Sequence, residues 1–105
     1  ERDGLAMSSR NAYLRDPQHR REAVCLYYAL RTAREMVRSG ERGAAKVHRE
    51  MMAVIRATCP SAVVDYIAFT DIETLVPVRR IDKRTVCSLA VRLHGVRLID
   101  NMKVG

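Results

Sequence analysis

The residues best able to do chemistry stand near the amino end, in the run Asp3-Gly4-Leu5-Ala6-Met7-Ser8-Ser9-Arg10-Asn11. Ser8 and Ser9 offer hydroxyl and backbone N–H donors, and Arg10 adds a planar fork that can hold two oxygens of one phosphate. Gly4 lets backbone approach a ligand closely. That chemistry suits a polyphosphate. The same residues also make an ordinary polar loop, and their types and spacing by themselves leave both readings open. Asp71 and Glu73 form a second polar pair. Two carboxylates so spaced could serve as acid and base, but a turn bearing solvated carboxylates is the expectation, because aspartate readily bonds its own turn backbone.

The remaining reactive side chains are scattered. Cys25, Cys59 and Cys87 are odd in number and far apart, which fits neither a disulfide framework nor a Cys-x-x-Cys metal site, so reduced and mostly buried thiols are expected. His19, His48 and His94 lack ligand-like spacing and read as surface or packing histidines. No metal site is expected. The chain of 105 residues carries a net charge of +7 and a pI near 9.9, which raises nucleic-acid binding as a possibility. The basic residues are nevertheless dispersed from Arg20 to Arg84 among acids such as Glu22, Glu35 and Glu50, and only four tyrosines and one phenylalanine are available for stacking on bases. A solvated, arginine-rich surface explains the charge better, and no nucleic-acid partner is expected.

Positioning any of these residues requires a core, and 48% hydrophobic with 30% charged residues fits one small domain. No apolar run reaches the roughly 20 residues that span a bilayer, and no signal-peptide pattern opens the chain; a soluble, cytoplasmic protein with no membrane partner is expected. A first helix is predicted over residues 16–40, with Asp16 as N-cap, Pro17 in the first turn and Gly40 as the stop. Ala23, Leu26, Tyr27, Leu30, Ala33 and Val37 form its apolar stripe, while Arg31, Arg34 and Arg38 fall on a wet face where Arg31 can pair with Glu35. A second helix over residues 43–58 buries Ala44, Val47, Met51, Val54 and Ile55 and ends before Pro60; Met51 and Met52 read as core. The connection of residues 39–43 is short enough to make the helices antiparallel neighbours.

The period then becomes two. Residues 62–69 read as a strand, and residues 85–93 as another with Cys87, Leu89, Val91 and Leu93 on one face. His94-Gly95 supplies a tight turn into a third strand over residues 96–100, whose end Asp100 and Asn101 would cap. The predicted fold is α+β: a helix pair packed on a three-stranded antiparallel sheet.

Three blocks in order, the segment from Asp3 through Tyr13-Leu14, Asp71-Ile72-Glu73-Thr74-Leu75-Val76-Pro77-Val78, and Arg97-Leu98-Ile99-Asp100-Asn101, resemble the pantoate–beta-alanine ligase family. The likeness covers essentially the whole chain. It implies that residues 1–105 are one C-terminal, lid-like domain of a nucleotidylyl-transferase-like ligase, with residues 1–16 the ATP-contacting loop. The family's upstream Rossmann-like domain, with its paired histidines and lysine loop, has no counterpart here, so an excised domain is expected. Such an enzyme joins pantoate and beta-alanine to give pantothenate, in the pathway to coenzyme A. It uses ATP, with Mg2+ as counter-ion, to form a pantoyl adenylate and release pyrophosphate, and then AMP.

By that resemblance Ser8, Ser9 and Arg10 would be catalytic, and Met7, Ser8, Ser9 and Arg10 would contact ATP, matching the family position by position. The loop is similar in logic to the Lys-Met-Ser-Lys-Ser loop of class I aminoacyl-tRNA synthetases, and would order as a lid on ATP binding. The chain departs from the family at Arg15-Asp16-Pro17-Gln18, where Ser or Thr often precedes Pro-Glu; Asp16 preserves the N-cap. The resemblance further implies contact with the enzyme's own N-terminal domain, a homodimer, and an isolated domain that is inert. Two readings from other classes stand beside it: a basic nucleic-acid-binding module, and a self-association domain.

Overall fold

A computed structural model describes residues 24–105. Two helices precede three strands: α1 (Cys25–Arg38), α2 (Ala44–Thr58), β1 (Val63–Asp71), β2 (Thr85–Leu93) and β3 (Val96–Lys103). The strands form one antiparallel sheet in the order β1-β2-β3, and the helix pair covers one of its faces. The α+β expectation holds.

α1 buries Cys25, Leu26, Ala29, Leu30, Ala33 and Val37, the two rows expected of a stripe that repeats every three to four residues. Cys25 and Ala29 join the stripe read from the sequence, and Tyr27 is only half-buried at its margin. Arg31 pairs with Glu35 at 3.0 Å on the wet face, as its spacing predicts. The helix ends in a Schellman motif. Gly40 has φ +109°, the Glu41 N–H reaches the Met36 carbonyl and the Gly40 N–H the Val37 carbonyl, both at 3.0 Å. The Arg42 guanidinium also donates to the Val37 carbonyl. The expected start at Asp16-Pro17 lies outside the described residues, and so does Ala23.

α2 opens at Gly43, which is extended and provides no side-chain cap. The Ala44 N–H instead finds the Arg79 carbonyl at 3.0 Å, on the connection between β1 and β2. Ala44, Val47, Met51 and Ile55 are buried; Val54 is half-buried against the core. Met52 is a correction: it lies one position beyond the stripe, is half-exposed, and takes no part in the core. α2 meets the sheet where the Met51 sulfur lies 3.8 Å from the Cys87 sulfur. Burial there pushes the Cys87 thiol up to about 12, and all three cysteines are buried and none is in a disulfide.

An unbroken inner face makes β2 the spine of the domain, and on the opposite face Ala90 is buried as well. Thr85, Cys87, Leu89, Val91 and Leu93 are fully buried beneath the helices. Each such Leu or Val contributes about 1.5–3 kcal/mol of burial free energy. The hairpin to β3 turns at His94 (φ +51°) and Gly95 (φ +79°), the pair of left-handed residues that a two-residue turn of matching twist requires. β1 begins one residue later than predicted and runs on to Asp71, with a register shift between Val64 and Tyr66. β3 continues to Lys103, so Asp100 and Asn101 lie within a strand and do not cap its end. Pairing with Leu89 turns Asp100 toward the helix layer, while Asn101, opposite Ser88, turns away.

Candidate functional site

Met7, Ser8, Ser9 and Arg10, the residues singled out from the sequence, lie outside the described residues, as does His19. Of the polar blocks predicted to matter, the structure describes the second and third.

The second block is a turn built around Asp71. Its Oδ1 accepts the backbone N–H of Glu73 at 2.9 Å and of Thr74 at 3.1 Å, and its carbonyl accepts that of Leu75 at 2.9 Å. This is the local bonding that makes aspartate a turn initiator. Arg84, at the far end of the connection, grips the carboxylate through Nε to Oδ2 at 3.2 Å and through a second guanidinium nitrogen to Oδ1 at 3.3 Å; it also reaches Glu73 Oε2 at 3.1 Å. The Arg84 guanidinium first, then the Thr74 and Glu73 N–H groups, hold the Asp71 carboxyl well below the usual carboxylate range. A group so fully donated to is ill suited to move protons near neutral pH. The turn reading therefore stands, with one refinement: the Asp71 side chain is mostly covered and clamped, and Glu73 is the solvated one.

The clamped turn displays apolar side chains. Ile72, Leu75 and Val76 are 48%, 71% and 57% exposed. Leu75 also sits at φ +61°, a left-handed conformation that costs a residue with a β-carbon on the order of 1 kcal/mol. From there the chain returns along β1. The Asp71 N–H meets the Val76 carbonyl at 3.0 Å and the Val78 N–H meets the Phe69 carbonyl at 2.9 Å. Between this returning segment, β1 and the first turns of α2 lies a groove of about 650 Å³, lined by Ala44, His48, Ile67, Phe69, Pro77 and Val78.

The third block is divided between the two faces of the sheet. On the outer face Arg97 donates to Asp65 Oδ2 at 2.9 Å, Arg92 donates to the same oxygen at 3.1 Å, and the Arg97 guanidinium lies 6.0 Å from the centre of the Tyr66 ring. Hydrogen bonds from Arg97 and then Arg92 lower the Asp65 carboxyl. On the inner face Asp100 is half-buried, and burial raises its carboxyl, partly offset by the Asn101 N–H at 2.8 Å. Asp71 and Asp100 flank β2 from opposite sides, opposite Thr85 and Leu89 respectively, and do not converge. Sequence reasoning missed two organising groups. Arg84 carries no local signal, since its partner is thirteen residues away, and Asp65 becomes a hub for two arginines because of the register shift beside it.

Among the described residues no three His, Cys, Asp or Glu side chains gather in a way that could hold a metal ion, and no helix is long and apolar enough to cross a membrane.

Residues 1–103 match the family described as pantoate-beta-alanine ligase. A pantothenate synthetase of Geobacter sulfurreducens is 47% identical over 105 residues, covering all of this chain and 36% of that protein. One of Thermosipho africanus is 46% identical over 102 residues, covering 97% of this chain and 36% of its own length. The crystal structure of pantothenate synthetase from Thermus thermophilus superimposes with a TM-score of 0.89 at 39% identity, over 99% of this chain and 37% of that one. The chain thus spans little more than a third of the length of the relatives it matches.

Proposed function

This chain belongs to the pantoate-beta-alanine ligase family, and from that premise we propose that it is the C-terminal, ATP-facing domain of an enzyme joining pantoate to beta-alanine. The observation that carries the proposal is the extent of the family match, residues 1–103, which takes in Met7, Ser8, Ser9 and Arg10 together with the clamped turn and β3.

In the proposed reaction a pantoate carboxylate oxygen attacks the α-phosphorus of ATP, and the bond to the β,γ-diphosphate breaks with its electron pair leaving on pyrophosphate. The amine of beta-alanine then attacks the acyl carbon of the adenylate, AMP departs, and the nitrogen loses a proton. Negative charge grows on the β- and γ-phosphates in the first step. Hydroxyl and guanidinium donors from Ser8, Ser9 and Arg10, with Met7 beside them, would stabilise that charge, and a fixed charged donor is worth most where charge develops. Mg2+ enters this reading as the counter-ion of ATP, with no ligand assigned in this chain. The pantoate and adenine contacts belong to the remainder of the longer polypeptide, a homodimeric cytoplasmic enzyme in this reading, and the 105-residue chain alone would be inactive.

Exchange of labelled pyrophosphate into ATP by the longer polypeptide tests the assignment. Arg10→Ala should slow exchange by about 10²–10³-fold, the usual cost of removing one donor to a developing anion, with a much smaller change in pantoate affinity. Unchanged exchange would remove Arg10 from the chemistry.

A further inference from the structure

The turn of residues 71–78 holds apolar side chains in water although it is one of the most tightly tied parts of the described structure. Four donors fix the Asp71 carboxylate, two from backbone and two from Arg84. The Thr74 hydroxyl accepts the Val76 N–H at 3.3 Å, and two further backbone bonds fasten the returning segment to β1. A loop free to relax would fold Leu75 inward and leave the left-handed region. Here the clamp keeps Ile72, Leu75 and Val76 outward. Pro77 carries this apolar surface into the groove beside α2, so knob and groove are continuous. Exposed Arg79 lines the groove and exposed Arg80 follows it in the chain; like Arg34, Arg38, Arg49 and Arg56, neither forms an ion pair among the described residues.

We propose that this surface, with Leu75 at its tip, is the seat on which the remainder of the longer polypeptide docks, through an apolar pocket rimmed by carboxylates that meet Arg79 and Arg80. Two observations choose this occupant. The chain accounts for only 36–37% of the length of its relatives, so most of such a polypeptide lies outside the described residues. The pattern of a pre-shaped apolar centre with unpaired guanidiniums at the margin is that of an interface with an apolar core and a polar rim. The inference rests on the family reading only through that length, and does not depend on which chemistry the enzyme performs.

Thiol labelling separates the outcomes. Leu75→Cys places a reporter at the tip, the three native cysteines are buried, and Ala57→Cys on the exposed side of α2 serves as reference. With a small maleimide, labelling of Leu75→Cys relative to Ala57→Cys should be at least about tenfold slower in the longer polypeptide than in the 105-residue chain. Equal ratios would overturn the proposal. Slow labelling already in the 105-residue chain, relieved on dilution, would also overturn it and assign the surface to a second copy. Leu75→Gly guards against a strained variant, since glycine keeps the backbone and removes only the side chain; it should expose an Ile72→Cys reporter in the longer polypeptide. Pyrophosphate exchange by the parent polypeptide reports on the ligase reading independently: its absence would sink that reading without touching the labelling result.

Discussion

The two outer strands of the sheet meet their surroundings in opposite ways. β1 is braced along its free edge by residues 76–78, and its terminal carboxylate, Asp71, receives four hydrogen bonds. β3 has no such companion among the described residues; it is held by β2, by its tight hairpin and by the helices above it, and its inward carboxylate, Asp100, receives one backbone N–H. The same side-chain chemistry is thereby driven in opposite directions, below the ordinary range at Asp71 and above it at Asp100. What decides the direction is the supply of donors set against the loss of water.

Removing the element that both flanks share should give the largest effect. Leu89→Ala deletes the centre of β2 and should cost about 2–5 kcal/mol, read from urea unfolding, with both flanks losing hydrogen-exchange protection together. A change that left β3 protected would break the picture of a common spine. Gly95→Ala comes next, at about 1–2 kcal/mol, because φ +79° disfavours a β-carbon. Since β3 lacks a second brace, its amides should lose more protection than those of β1.

Arg84→Ala acts on the other flank and should release the Leu75 amide to faster exchange while leaving β3 unchanged. Its acid response carries a sign. Asp71 is depressed in the folded state, so its contribution is complete above the unfolded carboxylate value of about 3.9 and fades as pH falls below it. The variant should lose less stability than the parent on acidification through that window. Asp100→Asn should have the smallest effect and the opposite sign. A raised carboxyl favours the folded state more as it becomes protonated, so the parent bears a cost at neutral pH that recedes toward about pH 4. The amide variant should melt slightly higher at pH 7, and the gap should close in acid. A lower melting temperature at pH 7 would mean that Asp100 has a favourable partner.

Much of the architecture could be read before any coordinates. Alternation from Thr85 to Leu93, the pair His94-Gly95 and the stops at Gly40 and Pro60 each act through local backbone preference or through burial on one face, and these are visible in a single chain. What escaped depends on distant partners. The end of β3 reads too early from the sequence because Asp100 and Asn101 look like a terminus until their register with Leu89 and Ser88 is known. Met52 reads as core because methionine is apolar, although the helical angle carries it past the stripe that holds Met51. The clamp of Asp71 by Arg84 needs the whole connection to fold back. For the polyphosphate loop the residues alone leave two readings, and only resemblance to a family favours one; Met7, Ser8, Ser9 and Arg10 lie outside the described residues.

The uncapped start of α2 carries a thermodynamic consequence. Because the Ala44 N–H is satisfied by the Arg79 carbonyl, and the Ile81 N–H returns to the Arg42 carbonyl, helical and sheet layers are sewn together through the main chain, where substitution of side chains has little purchase. Neither layer can melt first without stranding amides of the other, so calorimetric and van't Hoff enthalpies should coincide in a single transition.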